Sequence, residues 1–353
     1  MSMRESRRRA DAAVPQIAVR NPSGLGRDSP MHSPPHKHRG NHSKTTYYLV
    51  GFQFEWFAHP VPRVGVGPAS VLLTLGPERD GEVMAYVNNG SVRLWWDEEG
   101  AGDPVLLVMG FTYPSDMWHR VWPAMTDQFR VIRFDNRGVG KSDAPKGPYT
   151  IADMAEDAVA VLDAAGVQRA HVYGASMGGG IVQELALTHP ERVASLVLGC
   201  TAAPDRPVGP PLKIAWILRI IPPKVILRFR GPRSYGADVP EKAMQDDRAI
   251  LRSTRLTTRG VMGQAGAIAA YHSKDRVGQI AVPTIVVHGD QDETVPIALG
   301  RELASLIPGS QLHVIEGAGH NFITSVDCPA NRIVKEFWQS LPALTPQTGS
   351  SDG

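Results

Sequence analysis

Cysteine is nearly absent from this chain: Cys200 and Cys328 are the only two in 353 residues. At most one disulfide can form, which excludes a small cross-linked scaffold and agrees with a reducing compartment. Long apolar runs are scarce too. The aromatic stretch Tyr47 to Phe57 is interrupted by Gln53 and Glu55 and is too short to span a bilayer. After Arg7-Arg8-Arg9, the segment Asp11 to Arg20 offers only Ala12-Ala13-Val14 before Pro15, without the apolar core of a secretory signal. These absences predict a cytoplasmic protein with no transmembrane segment.

Charge is low overall, a formal net +2, but unevenly spread. Residues 1–70 hold ten Lys and Arg against four Asp and Glu, so the rest of the chain is net acidic. Residues 1 to about 80 are rich in Pro, Gly, Arg, Ser and His and lack periodicity, the composition of a disordered basic extension. A solvated tail is expected rather than a nucleic-acid partner site. His32, His36, His38 and His42 could bind a divalent metal adventitiously, and no second ligand cluster in the sequence supports a structured site. Met84 opens the patterned part of the chain, and a translation start there would omit residues 1–83.

One glycine is missing where a phosphate loop would need it. Gly140-Lys141-Ser142 resembles the end of such a loop, but the position of its first glycine is Asp135, which removes the backbone cradle for a nucleotide. Asp135 and Arg137 are expected instead to stabilise the loop after the strand Val131–Phe134, with Gly138 and Gly140 making its turns.

What is present centres on Gly174-Ala175-Ser176-Met177-Gly178. It follows a strand-like Ala170-His171-Val172-Tyr173 and opens a helical run from Ile181 to Leu187. A strand that turns into a helix this abruptly crowds its backbone, and Gly174 and Gly178 remove the side chains that would collide. Ser176 is then held on a strained elbow as a candidate nucleophile. A serine hydroxyl needs a base to take its proton. His320, in Gly317-Ala318-Gly319-His320-Asn321, follows the strand-like Leu312–Ile315 and is the candidate base. An acid to orient that imidazole should follow another strand, and Thr284–Val287 leads into Asp290 and Asp292, both candidates; Asp205 is a third. The oxyanion of the resulting intermediate needs two N–H donors. Met177, next to the serine at a helix N-terminus, supplies one. Phe111, after the strand Val105–Met109, supplies the other, its ring being packing.

These residues resemble the α/β-hydrolase superfamily from about Gly81 to Leu341. The likeness is carried by Met109-Gly110-Phe111, the loop Phe134 to Ser142, Gly174 to Gly180, Asp292-x-x-Val-Pro296 and Gly319-His320. Within it, the chain is similar to small hydrolases that include enol-lactonases, methylesterases and cofactor-free perhydrolases. It departs in Met109, where many members have histidine. The resemblance implies a mostly parallel sheet with helices on both faces and an inserted helical cap. It selects Asp292 as the acid, since the Asp-x-x-Val-Pro turn stands where members carry it. The order Ser176, Asp292, His320 then fits the family. It also implies no metal and no organic cofactor, and serine at 176 disfavours members with a carboxylate nucleophile.

Thr150 and Asp153 predict a capped helix whose apolar positions recur from Ile151 to Ala165 and stop at Gly166. Strands alternating with such helices predict a parallel sheet. The long stretch between Leu198 and Thr284 exceeds any simple crossover. The expected organisation is therefore an extension over 1–80, a core over 81–204 and 276–342, a cap over 205–275 and a tail over 343–353. The cap would open with Leu212 to Ile221, whose apolar side serves either a substrate pocket or a lipid surface. The expected activity is hydrolysis of a carboxylic ester or lactone through an acyl-enzyme. C–C bond hydrolysis, perhydrolysis or acyl transfer on the same three residues, and a ligand receptor on this scaffold, are the alternatives.

Overall fold

Apolar runs become strands of one sheet in this computed structural model, which describes residues 47–49, 52–54, 74–75, 85–206, 234–236, 239–324 and 328–344. The strands are β1 (Tyr47–Leu49), β2 (Phe52–Phe54), β3 (Thr74–Leu75), β4 (Ala85–Asn89), β5 (Val92–Glu99), β6 (Asp103–Val108), β7 (Phe129–Phe134), β8 (Ala170–Ala175), β9 (Val193–Gly199), β10 (Thr284–Gly289) and β11 (Gln311–Ile315). Nine of them share a sheet in the order β11-β10-β9-β8-β6-β7-β5-β4-β3. The pairs from β11 to β7 are parallel, and those joining β7, β5, β4 and β3 are antiparallel. Strands β1 and β2 form a separate antiparallel pair, Tyr47 opposite Phe54. Thus parts of the first 80 residues are strands, β3 joining the sheet edge. The N-terminal arginines and histidines, the segment Leu212–Ile221 and most of the tail lie outside the described residues.

Helices cover both faces because the strands alternate between them. Leu106 and Val108 of β6 join one buried cluster with Val172, Leu196 and Val286. On it lie Met154 and Val161 of α2 (Ile151–Ala164), Ile181 and Leu185 of α3 (Met177–Thr188) and Leu303 of a later helix. Val105 and Leu107 face the other way, toward Tyr173, Val197, Trp118 and Trp122. The four-residue α1 (Trp122–Met125) and the C-terminal helix pack there. Full burial of each such apolar side chain stabilises by about 1.5–3 kcal/mol, so the sheet sits at the centre of the core. Helix α2 starts on the capping box its sequence predicts: Thr150 Oγ1 accepts from the Asp153 N–H, and the Asp153 carboxylate accepts from the Thr150 N–H, each at 2.9 Å.

Between β9 and β10 the chain makes a long excursion, residues 200–283, containing α4 (Glu241–Ser253) and α5 (Thr258–Ala270). It is fastened to loops at the C-terminal ends of the strands. Asp247 of α4 is fully buried and takes a 2.7 Å hydrogen bond from Arg120. Leu256 bridges to Val139 after β7, and Gly236 bridges to Ala318 after β11. The chain closes with α6 (Ile297–Leu306), β11 and α7 (Pro329–Gln339). Strand order reverses at β6: β7 lies on one side and β8 on the other, so the loops after β6 and β8 diverge there. Ligands of open α/β sheets bind in such a crevice.

Candidate active site

At that crevice β8 ends at Ala175 and α3 begins at Met177, leaving Ser176 alone to make the turn. Its φ of 56° and ψ of −119° lie where side-chain-bearing residues are rare, a strain of order 1–3 kcal/mol held by the surroundings. The Ser176 N–H donates to the Gly199 carbonyl at 2.9 Å, and its own carbonyl accepts from Thr201 Oγ1 at 2.8 Å. The flanking glycines are required by closeness rather than by φ. A Cβ on Gly178 would sit 2.1 Å from the Val108 carbonyl oxygen, and one on Gly174 would sit 2.4 Å from the Gly178 oxygen.

His320 is brought to Ser176 by the loop after β11, clamped on both sides by the excursion. The Gly319 N–H donates to the Tyr235 carbonyl at 3.1 Å and the Asn321 N–H to the Ser234 carbonyl at 2.6 Å. His320 Nε2 lies 2.9 Å from Ser176 Oγ, and Nδ1 lies 2.7 Å from Asp292 Oδ2. An ionised carboxylate only accepts, so Nδ1 carries the proton and donates to it. The neutral ring therefore leaves Nε2 to accept from the serine hydroxyl. Asp292 is buried after β10, and its other oxygen accepts from the N–H groups of Thr294 and Val295, each at 2.8 Å. Burial pushes its carboxyl up, but the facing His320 imidazole and the hydrogen bonds from His288, His320 and Val295 outweigh it. The net direction is down, below the usual carboxylate range. Asp290 and Asp205, the competing acids, are both exposed.

The loop after β6 passes against this group. A Cβ on Gly110 would lie 3.0 Å from Ser176 Cβ and 3.6 Å from Oγ, so the Gly110-Phe111 backbone runs beside the hydroxyl. Phe111 is half-buried and its ring packs on the core. Met177 opens α3, and its N–H is among those a helix leaves without an internal acceptor. Asn136 steadies the loop by donating to the Met109 carbonyl at 2.8 Å. Asp135 accepts from the Ser115 N–H at 2.7 Å and the Lys141 N–H at 2.8 Å, tying the loop after β7 together. Arg137 makes two hydrogen bonds, 2.6 and 2.8 Å, to the fully buried Asp157. Both cysteines are free and buried, and burial pushes both thiols up, so they are packing residues.

Two side chains that the sequence reading passed over touch this site. His288, buried at the end of β10, donates from Nε2 to the Val295 carbonyl at 2.7 Å and faces Asp292 at 3.4 Å. Gln264 of α5 accepts from the Thr112 N–H. A lone histidine in an apolar strand and a lone glutamine in a helix carry no motif that marks them. Among the described residues no group of three or more His, Cys, Asp or Glu is placed to hold a metal ion. Among the same residues, no helix is long and apolar enough to cross a membrane.

The sheet with its reversal and a serine elbow beside a histidine and a buried acid define a hydrolase of the α/β class. A sequence profile of the alpha/beta hydrolase fold matches residues 103–324, and the chain belongs to this family. Its relatives carry several hydrolase names. A protein of Azorhizobium caulinodans named for carbamate hydrolysis, RutD, is 31% identical over 253 residues, 68% of this chain and 92% of that one. A poly(3-hydroxyalkanoate) depolymerase of Ectopseudomonas oleovorans is 32% identical over 247 residues, 67% of this chain and 84% of its own. The crystal structure of the enol-lactonase from Burkholderia xenovorans LB400 superposes with a TM-score of 0.66 at 28% identity, covering 72% of this chain and 99% of that one.

Proposed function

We propose that the protein is a serine hydrolase that cleaves a carboxylic ester or lactone through an acyl-enzyme on Ser176. The observation that carries this reading is the continuous hydrogen-bonded line from Ser176 Oγ to His320 to Asp292, at 2.9 and 2.7 Å. Ser176 Oγ attacks the carbonyl carbon as His320 Nε2 takes its proton. Asp292 holds the ring in the tautomer that leaves Nε2 free to accept, and stabilises the imidazolium that forms. The carbonyl oxygen becomes an oxyanion held by the N–H groups of Phe111 and Met177. Collapse breaks the bond to the alcohol oxygen, which leaves with the proton from His320. A water then gives its proton to His320, attacks the acyl carbon and releases the acid, restoring Ser176.

The ester and lactone choice is supported by the names of the depolymerase and the enol-lactonase among the similar proteins. We read residues 205–275, within the excursion, as a cap over the site, a role that the bridges of Leu256 and Gly236 to the loops after β7 and β11 support. The cytoplasm is the expected compartment, in keeping with two unpaired cysteines. Steady-state hydrolysis of p-nitrophenyl esters of increasing acyl length, and of lactones of increasing ring size, tests the reading. Serine-dependent turnover with a preferred length is expected. No hydrolysis of any ester or lactone would overturn it.

A further inference from the structure

The loop after β6 is a tight turn. The Tyr113 N–H donates back to the Gly110 carbonyl at 3.3 Å, making Phe111 and Thr112 its two central residues. Thr112 has a φ of 61°, in the left-handed region. That position in a turn favours glycine or asparagine, and a β-branched residue holds it only when its surroundings dictate it. The competing form of the turn differs by rotation of the central peptide, which carries the Phe111 carbonyl and the Thr112 N–H. In that form Thr112 takes an ordinary negative φ, so the chain needs something to keep the observed one.

Gln264 supplies such a hold. Fully buried on α5, it accepts from the Thr112 N–H through Oε1 at 2.8 Å, and its Nε2 donates to the Arg137 carbonyl at 2.9 Å. Its amide is thereby held at both ends. Rotating the central peptide would turn the Thr112 N–H away and set the Phe111 carbonyl toward Oε1, acceptor against acceptor. Arg137, the other anchor, is itself tied to Asp157 of α2. The clasp therefore joins the turn beside Ser176, the loop after β7 and the excursion.

We propose that Gln264 is a positioning residue for the oxyanion: by clasping the Phe111–Thr112 peptide it pins the Gly110–Tyr113 turn, and with it the Gly110–Phe111 peptide that carries the Phe111 N–H, beside Ser176. The inference rests on the acyl-transfer reading above. On it, α5 completes the catalytic site rather than merely covering it, and a chain lacking α5 would keep Ser176, His320 and Asp292 while losing much of the oxyanion stabilisation.

The test compares wild type, Ser176→Ala, Gln264→Met and the double variant Thr112→Gly with Gln264→Met, using p-nitrophenyl butyrate as substrate and a trifluoromethyl ketone as a mimic of the anionic tetrahedral intermediate. Methionine matches glutamine in length and cannot form the clasp. For Gln264→Met, kcat should fall on the order of 10², as when an oxyanion donor is lost. KM should stay within about threefold and the pH profile should keep its shape, while ketone affinity falls with kcat/KM. Glycine occupies a positive φ freely, so the double variant should regain at least about tenfold. It should also fold if Gln264→Met alone does not, and then show kcat above about a tenth of wild type. Wild-type kcat in Gln264→Met, a loss confined to KM with ketone affinity unchanged, or a double variant lacking the expected activity would overturn the proposal. If wild type shows no serine-dependent turnover, the acyl-transfer reading itself fails; if it does and Gln264→Met matches it, only the clasp fails.

Discussion

His288 at the end of β10 meets Asp292 in the turn that follows, the imidazole Nε2 standing 3.4 Å from Oδ2 of the acid and 2.7 Å from the Val295 carbonyl. A carbonyl only accepts, so Nε2 donates, and the same N–H braces the turn while facing the carboxylate. Asp292 is thus held by two backbone N–H groups on one oxygen and two imidazoles on the other.

Replacing His288 with leucine should lower kcat about tenfold with little change in KM, a hydrogen bond to a charged group being worth about 1.5–3 kcal/mol and only part of it felt at the transition state. The Val295 carbonyl would also lose its partner, at about 1–3 kcal/mol of stability. Steady-state kinetics and urea unfolding on the same preparation check both effects. Unchanged kcat would show that the brace does not reach the chemistry.

The two neighbouring aspartates should behave oppositely. Asp292→Asn cannot hold the His320 tautomer and should reduce kcat on the order of 10⁴, the effect of the same change in other Ser-His-Asp enzymes. Asp290→Asn changes an exposed side chain and should leave kcat within about twofold. Ester hydrolysis by both variants decides the assignment, and the reverse ranking would move the acid to Asp290.

The ion pair of Arg137 and Asp157 is buried, with Asn89 adding a third hydrogen bond to the carboxylate at 2.9 Å. Arg137→Met leaves that carboxylate without its cation and should cost about 3–5 kcal/mol. Adding Asp157→Leu removes the stranded charge and should recover most of the loss. Urea midpoints for the single and double variants measure the recovery.

His171 lies at the start of β8, with Nδ1 2.8 Å from Ser195 Oγ and Nε2 buried without a hydrogen-bond partner among the described residues. Burial lowers its pKa to about 4. The unfolded chain takes up this proton near pH 6.5, whereas the folded protein resists it down to about 4. Its contribution to stability is therefore complete above pH 6.5 and declines as pH falls toward 4, by on the order of 3 kcal/mol over that interval. In His171→Phe, which keeps a ring beside Trp338, melting temperature should fall less between those pH values than in wild type. Parallel curves would contradict the assignment.

Much of this architecture is legible in the chain because it is written in short-range patterns. Continuous apolar runs at Val105, Ala170, Ser195 and Thr284 mark strands buried on both faces, and all four stand as adjacent parallel strands. Asp292 is told from Asp290 by the Asp-x-x-Val-Pro turn and the resemblance it carries, while its contact with His320, across 28 residues of sequence, is made by tertiary folding. The hairpin of β4 and β5 turns on Gly90-Ser91, with Gly90 at a φ of 59°, a two-residue signal that the strand patterning alone does not bring out. Gln264 and Thr112, 152 positions apart, are joined by tertiary folding alone. Nothing adjacent to either residue announces the contact.

The most direct test of the central claim is mass spectrometry of protein quenched during turnover of a slowly deacylating ester such as p-nitrophenyl trimethylacetate. One acyl group per chain is expected on the peptide containing Ser176, formed with a stoichiometric burst of p-nitrophenolate, lost on standing in water and absent from Ser176→Ala. An acyl group elsewhere, or turnover in Ser176→Ala within about tenfold of wild type, would contradict it, since loss of the nucleophile should cost on the order of 10⁶.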